Sequence, residues 1–221
     1  MPDVVTSAFT PFGEKGFSRG VANKLGMEVN VDFYTACVML GMAFQVRAGT
    51  ITTPLVGDVV LSDTAAEYCV DSPAGTTLIP VYNNISMRLL TGTLHEYAIK
   101  SVATASSAGT VFVGLPLRSA GPSGATAVAA VCTARVAAAG GVTVTGETAT
   151  TTPRHWSWSN PAAGSTGALP TAGYCLEWTP RVPPILPGIR CLYVQIAATG
   201  TGPSYYANLD WIEIPTATLL G

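Results

Sequence analysis

The residues with chemistry to offer are few and poorly grouped. The chain of 221 residues holds two histidines, His95 and His155. His95 precedes Glu96 in a segment with strand character, and neighbouring side chains on a strand point to opposite faces, so the two cannot form an acid–base dyad. His155 stands between Arg154 and Trp156, near no carboxylate in sequence. There is no serine in a Gly-x-Ser-x-Gly elbow, no His-x-x-x-His pair, no phosphate-binding glycine loop and no Gly-x-Gly-x-x-Gly fingerprint. Asp58, Asp63, Glu67 and Asp71 cluster in one stretch, where paired carboxylates for proton transfer could arise. Their spacing matches no calcium loop, and a solvated edge accounts for them. The five cysteines, Cys37, Cys69, Cys132, Cys175 and Cys191, lie at none of the short spacings of a zinc site. An odd number cannot all pair within one chain, and their apolar neighbours mark them as buried thiols. The sequence therefore predicts no enzyme, no metal and no cofactor.

Aromatic recognition is the stronger chemical candidate. Trp156 and Trp158 alternate along one expected strand, so both face the same side. With Trp178 and Tyr174 they could form a flat platform for sugar rings; the same residues also serve as core or interface anchors, having large apolar area and a single donor. Asn84-Ile85-Ser86 fits a glycosylation sequon, which carries weight only in a secreted chain.

The elements that would position these residues are strands. Segments rich in β-branched and aromatic residues are expected near 56–61, 67–70, 77–82, 84–90, 95–102, 110–115 and 126–134. Others fall near 142–147, 155–159, 174–178, 189–196 and 205–214, with Gly, Pro and Ser between them. Residues 28–33 alternate cleanly, 34–42 fit either a helix or a buried strand, and 43–47 alternate again. The last two runs read as a paired antiparallel hairpin that closes the fold, with Asp210 facing away from Trp211 and Glu213. A dozen short strands with almost no helix predict a sandwich or barrel, and an eight-stranded jelly roll with extra edge strands fits the number. The segments 159–171 and 179–187 read as surface loops of one domain.

Ahead of this array, residues 1–27 scatter Phe9, Phe12 and Phe17 among Gly and Pro, which reads as an extended arm whose phenylalanines need a surface to pack on. A short helix near 18–25 is a further expectation. The domain then spans 28–221.

Composition narrows the function classes. Only 11% of residues are charged, against about 25% in a typical soluble domain. Thr, Ser, Gly and Ala take their place, and such a surface loses little on burial against a neighbour, because desolvating hydroxyls costs far less than desolvating charges. The net charge of −2 and the lack of a polybasic run argue against strong binding to nucleic acid. The charge-poor windows are interrupted by Gly and Pro, so no membrane-spanning helix is predicted. Met1-Pro2-Asp3-Val4-Val5 lacks the basic start and apolar core of a signal peptide, so synthesis in the cytosol is expected.

Two resemblances follow. The stretch Pro187-Gly188-Ile189-Arg190-Cys191-Leu192-Tyr193-Val194 through Asn208-Leu209-Asp210-Trp211-Ile212-Glu213 resembles the end of a β-sandwich carbohydrate-binding module. It implies a glycan-binding or adhesin domain, with Trp156, Trp158 and Trp178 as the alternative platform; the sugar-binding residues of that family match no position here. The whole chain more broadly resembles a jelly-roll structural protein of a virus or bacteriophage. That style is plain from Val46-Arg47-Ala48-Gly49 to Ala74-Gly75-Thr76-Thr77-Leu78-Ile79-Pro80-Val81, behind an aromatic and glycine-rich arm. This resemblance implies a capsid-type subunit assembled in a host cytoplasm into virions, with copies of itself and other virion proteins as partners. Phe9, Phe12 and Phe17 would be its inter-subunit contacts, and its near-neutral arm departs from coat proteins that bind RNA through basic tails. The expectation is an all-β, single jelly-roll-type β-sandwich with an extended N-terminal arm, acting as a structural protein.

Overall fold

A computed structural model describes residues 21–22, 28–29, 32–50, 52–62, 64–89, 93–119, 127–137, 141–146, 151–159 and 174–220. The order begins β1 (Val21–Ala22), β2 (Glu28–Val29), α1 (Phe33–Leu40), β3 (Ala43–Ala48), β4 (Leu55–Val56), β5 (Ala65–Ala66) and β6 (Tyr68–Ser72). Next come β7 (Thr76–Leu89), β8 (Leu94–Val102), β9 (Ser107–Ala108), β10 (Thr110–Val113), β11 (Leu115–Pro116), β12 (Thr133–Val136) and β13 (Val142–Thr143). The chain continues with β14 (Thr151–Ser159), β15 (Tyr174–Trp178), β16 (Leu186–Pro187), β17 (Arg190–Ala198), β18 (Ser204–Pro215) and α2 (Thr216–Leu220). The fold is an all-β sandwich.

Its two main sheets are built from eight principal strands, β3, β6, β7, β8, β14, β15, β17 and β18 in chain order. One sheet runs β11-β3-β18-β7-β15, so its principal strands are the first, eighth, third and sixth. The other runs β10-β12-β6-β17-β8-β14, so its principal strands are the second, seventh, fourth and fifth. All these neighbours pair antiparallel. Between the sheets lies a core that includes Tyr68, Tyr97, Ile85, Leu192, Leu209 and Trp211, all fully buried.

The outer faces are covered as well. Outside the β17 sheet, the small sheet β5-β13-β9 buries Cys69, Val102, Val142, Cys191 and Tyr193. Outside the β18 sheet, Cys37 and Val38 of α1 and Leu219 of α2 pack with Ile79, Ile212 and Ile214. The helix α1 settles the ambiguity of residues 34–42. The Asp32 carboxylate caps it by accepting the Tyr34 and Thr35 amides, and Gly41, at φ 73°, closes it in the left-handed conformation.

Several expectations need correcting. The hairpin expected at the C-terminal end does not form: β17 pairs with β6 and β8, whereas β18 pairs with β3, β4 and β7, so the two runs stand in different sheets. The strands expected at 77–82 and 84–90 are one, β7. Asn83, which falls between the two expected segments, faces the core and accepts the Tyr68 hydroxyl at 2.8 Å. The expected strand 110–115 is instead two, β10 and β11, one in each main sheet. The strand expected at 126–134 begins at Thr133, because a carboxylate rather than a ladder takes the preceding amides. Val21 and Ala22 lie in a strand paired with Glu28 and Val29, not in the helix expected near 18–25. That ladder joins the two sides of the boundary placed after residue 27. Among the described residues, no helix is long and apolar enough to cross a membrane.

The switch between sheets depends on Gly114. A Cβ there would stand 2.7 Å from the Trp211 ring and 2.8 Å from the Ala130 methyl, so only glycine lets the chain cross this corner. Gly114→Ala should cost about 1–3 kcal/mol by overpacking, read as a lower denaturant midpoint with altered tryptophan fluorescence. An unchanged midpoint would show that the corner yields freely.

Candidate functional site

Polar side chains that sequence spacing left scattered are gathered by the sandwich into buried clusters. Of the acidic stretch, Asp58 is exposed and Asp63 lies outside the described residues, whereas Glu67 and Asp71 are both buried rather than on a solvated edge. On β6, Cys69 and Asp71 share the outer face of their sheet, opposite to inward Tyr68 and Val70. Asp71 accepts the Ser106 amide at 2.8 Å, the Ser106 hydroxyl at 2.6 Å and the Arg135 Nε at 3.3 Å. Arg135 also donates to the Ala108 carbonyl, and Cys69 Sγ lies 3.1 Å from the Ser106 hydroxyl. One carboxylate thus fixes the segment after β8 to the face of the sheet. An open depression of about 290 Å³ lies above it, lined in part by Asp71, Ser106, Thr133 and Arg135.

The ligand atoms of Cys69, Asp71 and Cys191 lie within 4.8 Å of one another, a grouping no sequence spacing revealed, because β6 and β17 bring it together across a ladder. A soft divalent cation would find two sulfurs and a carboxylate there. Both Asp71 oxygens, however, are held by Ser106 and Arg135, and the guanidinium already neutralises that charge. Hydrogen bonding with Cys69, together with burial, pushes the Cys191 thiol well above its ordinary value, away from the thiolate a metal needs. The cluster acts as a structural tie. Cys37, Cys69, Cys132 and Cys191 are buried as expected; Cys175 is exposed and its sulfur takes the Asn84 side-chain amide at 2.8 Å. That bond places Asn84 within the sheet, against β15, which is no position for a glycan.

A second buried carboxylate, Glu213, accepts the Val131 and Cys132 amides at 2.7 and 3.0 Å and the Trp211 indole N–H at 2.8 Å. Asp210 stands apart from this pair, as its strand position predicts, and burial pushes its carboxyl up to about 6. A third, Glu67, accepts the Tyr205 hydroxyl at 3.0 Å and the Asp58 amide at 3.0 Å. Desolvation first, and then the nearby Asp58 charge, push its carboxyl up to about 8.

The histidines offer no catalytic pair. His95 is buried against Tyr97, with Nδ1 3.0 Å from the hydroxyl, while Glu96 turns outward. His155 Nε2 does lie 3.9 Å from Glu96 Oε1, across the β8–β14 ladder, a proximity invisible in sequence. Both groups are substantially solvated, so the pair contributes little.

Two of the tryptophans that could form an aromatic platform stand in different sheets. Trp178 lies on β15 in the β18 sheet and is only 8% exposed, while Trp156 lies on β14 in the other sheet. Trp178 is part of the inter-sheet core and Trp156 packs partly against it, with Arg154 over its ring at 5.0 Å. Trp158 lies on β14 but its side chain, like that of Tyr174, is outside the described residues. Phe9, Phe12 and Phe17 are outside the described residues too.

What the surface does present is apolar. Val111, Phe112 and Val113 on β10, Leu115 and Leu117 beyond it, and Val128 and Val131 before β12 are all exposed. They line the side of the sandwich where residues 110–117 pass from one sheet to the other, and no charged residue falls in that span. Sequence reading placed a strand here but had no means of knowing that it would be an edge.

Comparison with protein-family models, with curated proteins and with solved structures finds no match to this chain.

The most testable property of these clusters is the protonation of Glu67. A carboxyl raised from 4.5 to about 8 holds its proton in the folded state while the unfolded chain has lost it. Folding stability should therefore fall as pH rises from about 4.5 to 8, by roughly 1.4 kcal/mol per unit for this group alone. Glu67→Gln mimics the neutral acid and should flatten that decline, so that the variant exceeds the wild type in urea midpoint at pH 8 and not at pH 5. Parallel profiles would contradict the assignment.

Proposed function

We propose that this protein is a structural subunit of a virion, a capsid-type protein that assembles with copies of itself through surfaces of low charge. The observation that carries the reading is strand order. Principal strands first-eighth-third-sixth facing second-seventh-fourth-fifth is the arrangement obtained when four antiparallel pairs roll up together, the double Greek key of a jelly roll, and it supports that fold for this chain. Jelly rolls serve as viral capsid, lectin and cupin domains. The cavity-based uses find little support, since aromatic and aliphatic side chains fill the space between the sheets. The lectin-type use finds little either, since Trp178 is buried and stands on the opposite sheet from Trp156. The capsid-type use is favoured by the scarcity of charge and by the exposed apolar side of the sandwich.

On this reading the work done is mechanical. Each subunit makes many weak contacts, and a symmetric lattice sums them. The proposed location is the virion, assembled in a host cytoplasm, and the partners are further copies and other virion proteins. Neither nucleic-acid binding nor catalysis has a role.

Light scattering on the purified protein, with and without residues 1–20, tests the reading; this deletion leaves the β1–β2 ladder whole. The full chain should form particles far larger than the 22.7 kDa protomer, and the shortened chain should form fewer or none while keeping its β-type circular dichroism. A full chain that stays monomeric at high concentration and binds glycans on an array would overturn the proposal.

A further inference from the structure

The four outermost strands of the two main sheets are not alike. β14 carries Pro153, exposed Arg154 and His155, and a register shift between Thr151 and Arg154. β15 carries exposed Glu177; β11 has two residues, one of them Pro116. Charge, proline, bulges and shortness are the devices that keep sheet edges from pairing with other chains. β10 has fewer of them. Its sequence Thr-Val-Phe-Val holds no charge and no proline, its ladder to β12 runs without a shift, and Val111, Phe112 and Val113 are 54%, 43% and 71% exposed. Among the described residues no strand lies on its outer side.

The strand is also held firmly in place. Ala108, at φ 58°, and Gly109, at φ 67°, turn the chain sharply into it. A non-glycine residue in the left-handed region is disfavoured, so the surrounding contacts must hold the turn. Arg135, anchored on Asp71, does so by donating to the Ala108 carbonyl at 3.2 Å.

We propose that the outer edge of β10 pairs with the same edge of a second copy of this chain, antiparallel across a two-fold axis, so that two six-stranded sheets become one. An unpaired row of N–H and C=O groups is recognised best by another strand. Charge selects a second copy as that strand. Self-pairing sets a strand against its own sequence, so any charge on it meets its like; β14 would bring Arg154 and His155 near their counterparts, whereas β10, centred on Phe112, brings only Phe112 beside its counterpart and Val111 beside Val113. A four-residue ladder is short for a dimer standing alone, which buries about 800 Å² per partner, and suits a lattice in which several contacts per subunit add up. The pairing rests on the self-assembly reading above and names one interface within it.

The test uses the full chain and the double variant Val111→Lys/Val113→Lys, with Val60→Lys/Val182→Lys as a control of equal charge at exposed positions elsewhere. The concentration at which particles form should rise at least about 100-fold for the β10 variant and stay within a few-fold of wild type for the control. In wild-type particles, hydrogen exchange at residues 110–113 should be at least about tenfold slower than in protomers. Particles that form equally well from the β10 variant, or wild-type particles without protection at 110–113, would overturn the β10 interface and leave the self-assembly reading standing. Equal loss in the control would also overturn the interface, since the effect would be one of charge in general. A wild-type chain that remains a monomer throughout would overturn the reading and the interface together.

Discussion

The structure depends on one constraint: the central strand of each main sheet is buried on both faces along part of its length. From Cys191 to Ala198, every residue of β17 is buried, and β18 is buried without interruption from Trp211 to Ile214. A sandwich buries only the inner face of each sheet. The outer faces must therefore be covered by something else, and the chain does this twice. α1 and α2 cover the second half of β18 and the first half of β7, which is why both strands change from alternating burial to complete burial along their length. The small sheet β5-β13-β9 covers β17. With so few charged residues, the chain has apolar area in surplus, and layering is the way to remove it from water.

Buried carboxylates hold those layers in register. Asp71 and Glu213 lie on different sheets, and each grips the long segment between β8 and β14 through backbone amides, at Ser106 in one case and at Val131 and Cys132 in the other. Hydrogen bonds to charged acceptors are stronger than neutral ones, and leaving such a carboxylate unpaired in the interior would cost several kcal/mol. The same segment forms β10, β11 and β12, which extend both sheets on one side. Covering layer and exposed edge are thus tied: β9, which helps to cover β17, leads directly into the apolar edge strand β10.

The sequence was legible where one physical signal dominated. The succession of short β-branched and aromatic runs predicted an all-β chain, and the runs at 95–102, 189–196 and 205–214 gave strands close to their expected places. It was not legible where partners come from far along the chain. β17 and β18 are neighbours in sequence and look like a hairpin because nothing local distinguishes pairing with each other from pairing in two sheets. Asp71, Glu67 and Glu213 looked solvated or idle, since the amides and hydroxyls that satisfy them, from Ser106, Tyr205 and Val131, are remote in sequence. Asn83 separates the two expected strands 77–82 and 84–90 because its core partner, the Tyr68 hydroxyl, is also remote in sequence. The apolar edge of β10 was not visible either, since exposure is a property of the folded array.

The central claim is that this chain assembles through contacts of low charge, and the salt dependence of its mass tests that most directly. Sedimentation velocity on the full chain, from low salt to about 1 M sodium chloride, separates uncharged contacts from screened ionic ones. The account predicts large species that persist or grow as salt rises, because burial of apolar and hydroxyl-bearing surface is not screened. A single 22.7 kDa species at every salt and protein concentration, or particles that fall apart as salt rises, would contradict it.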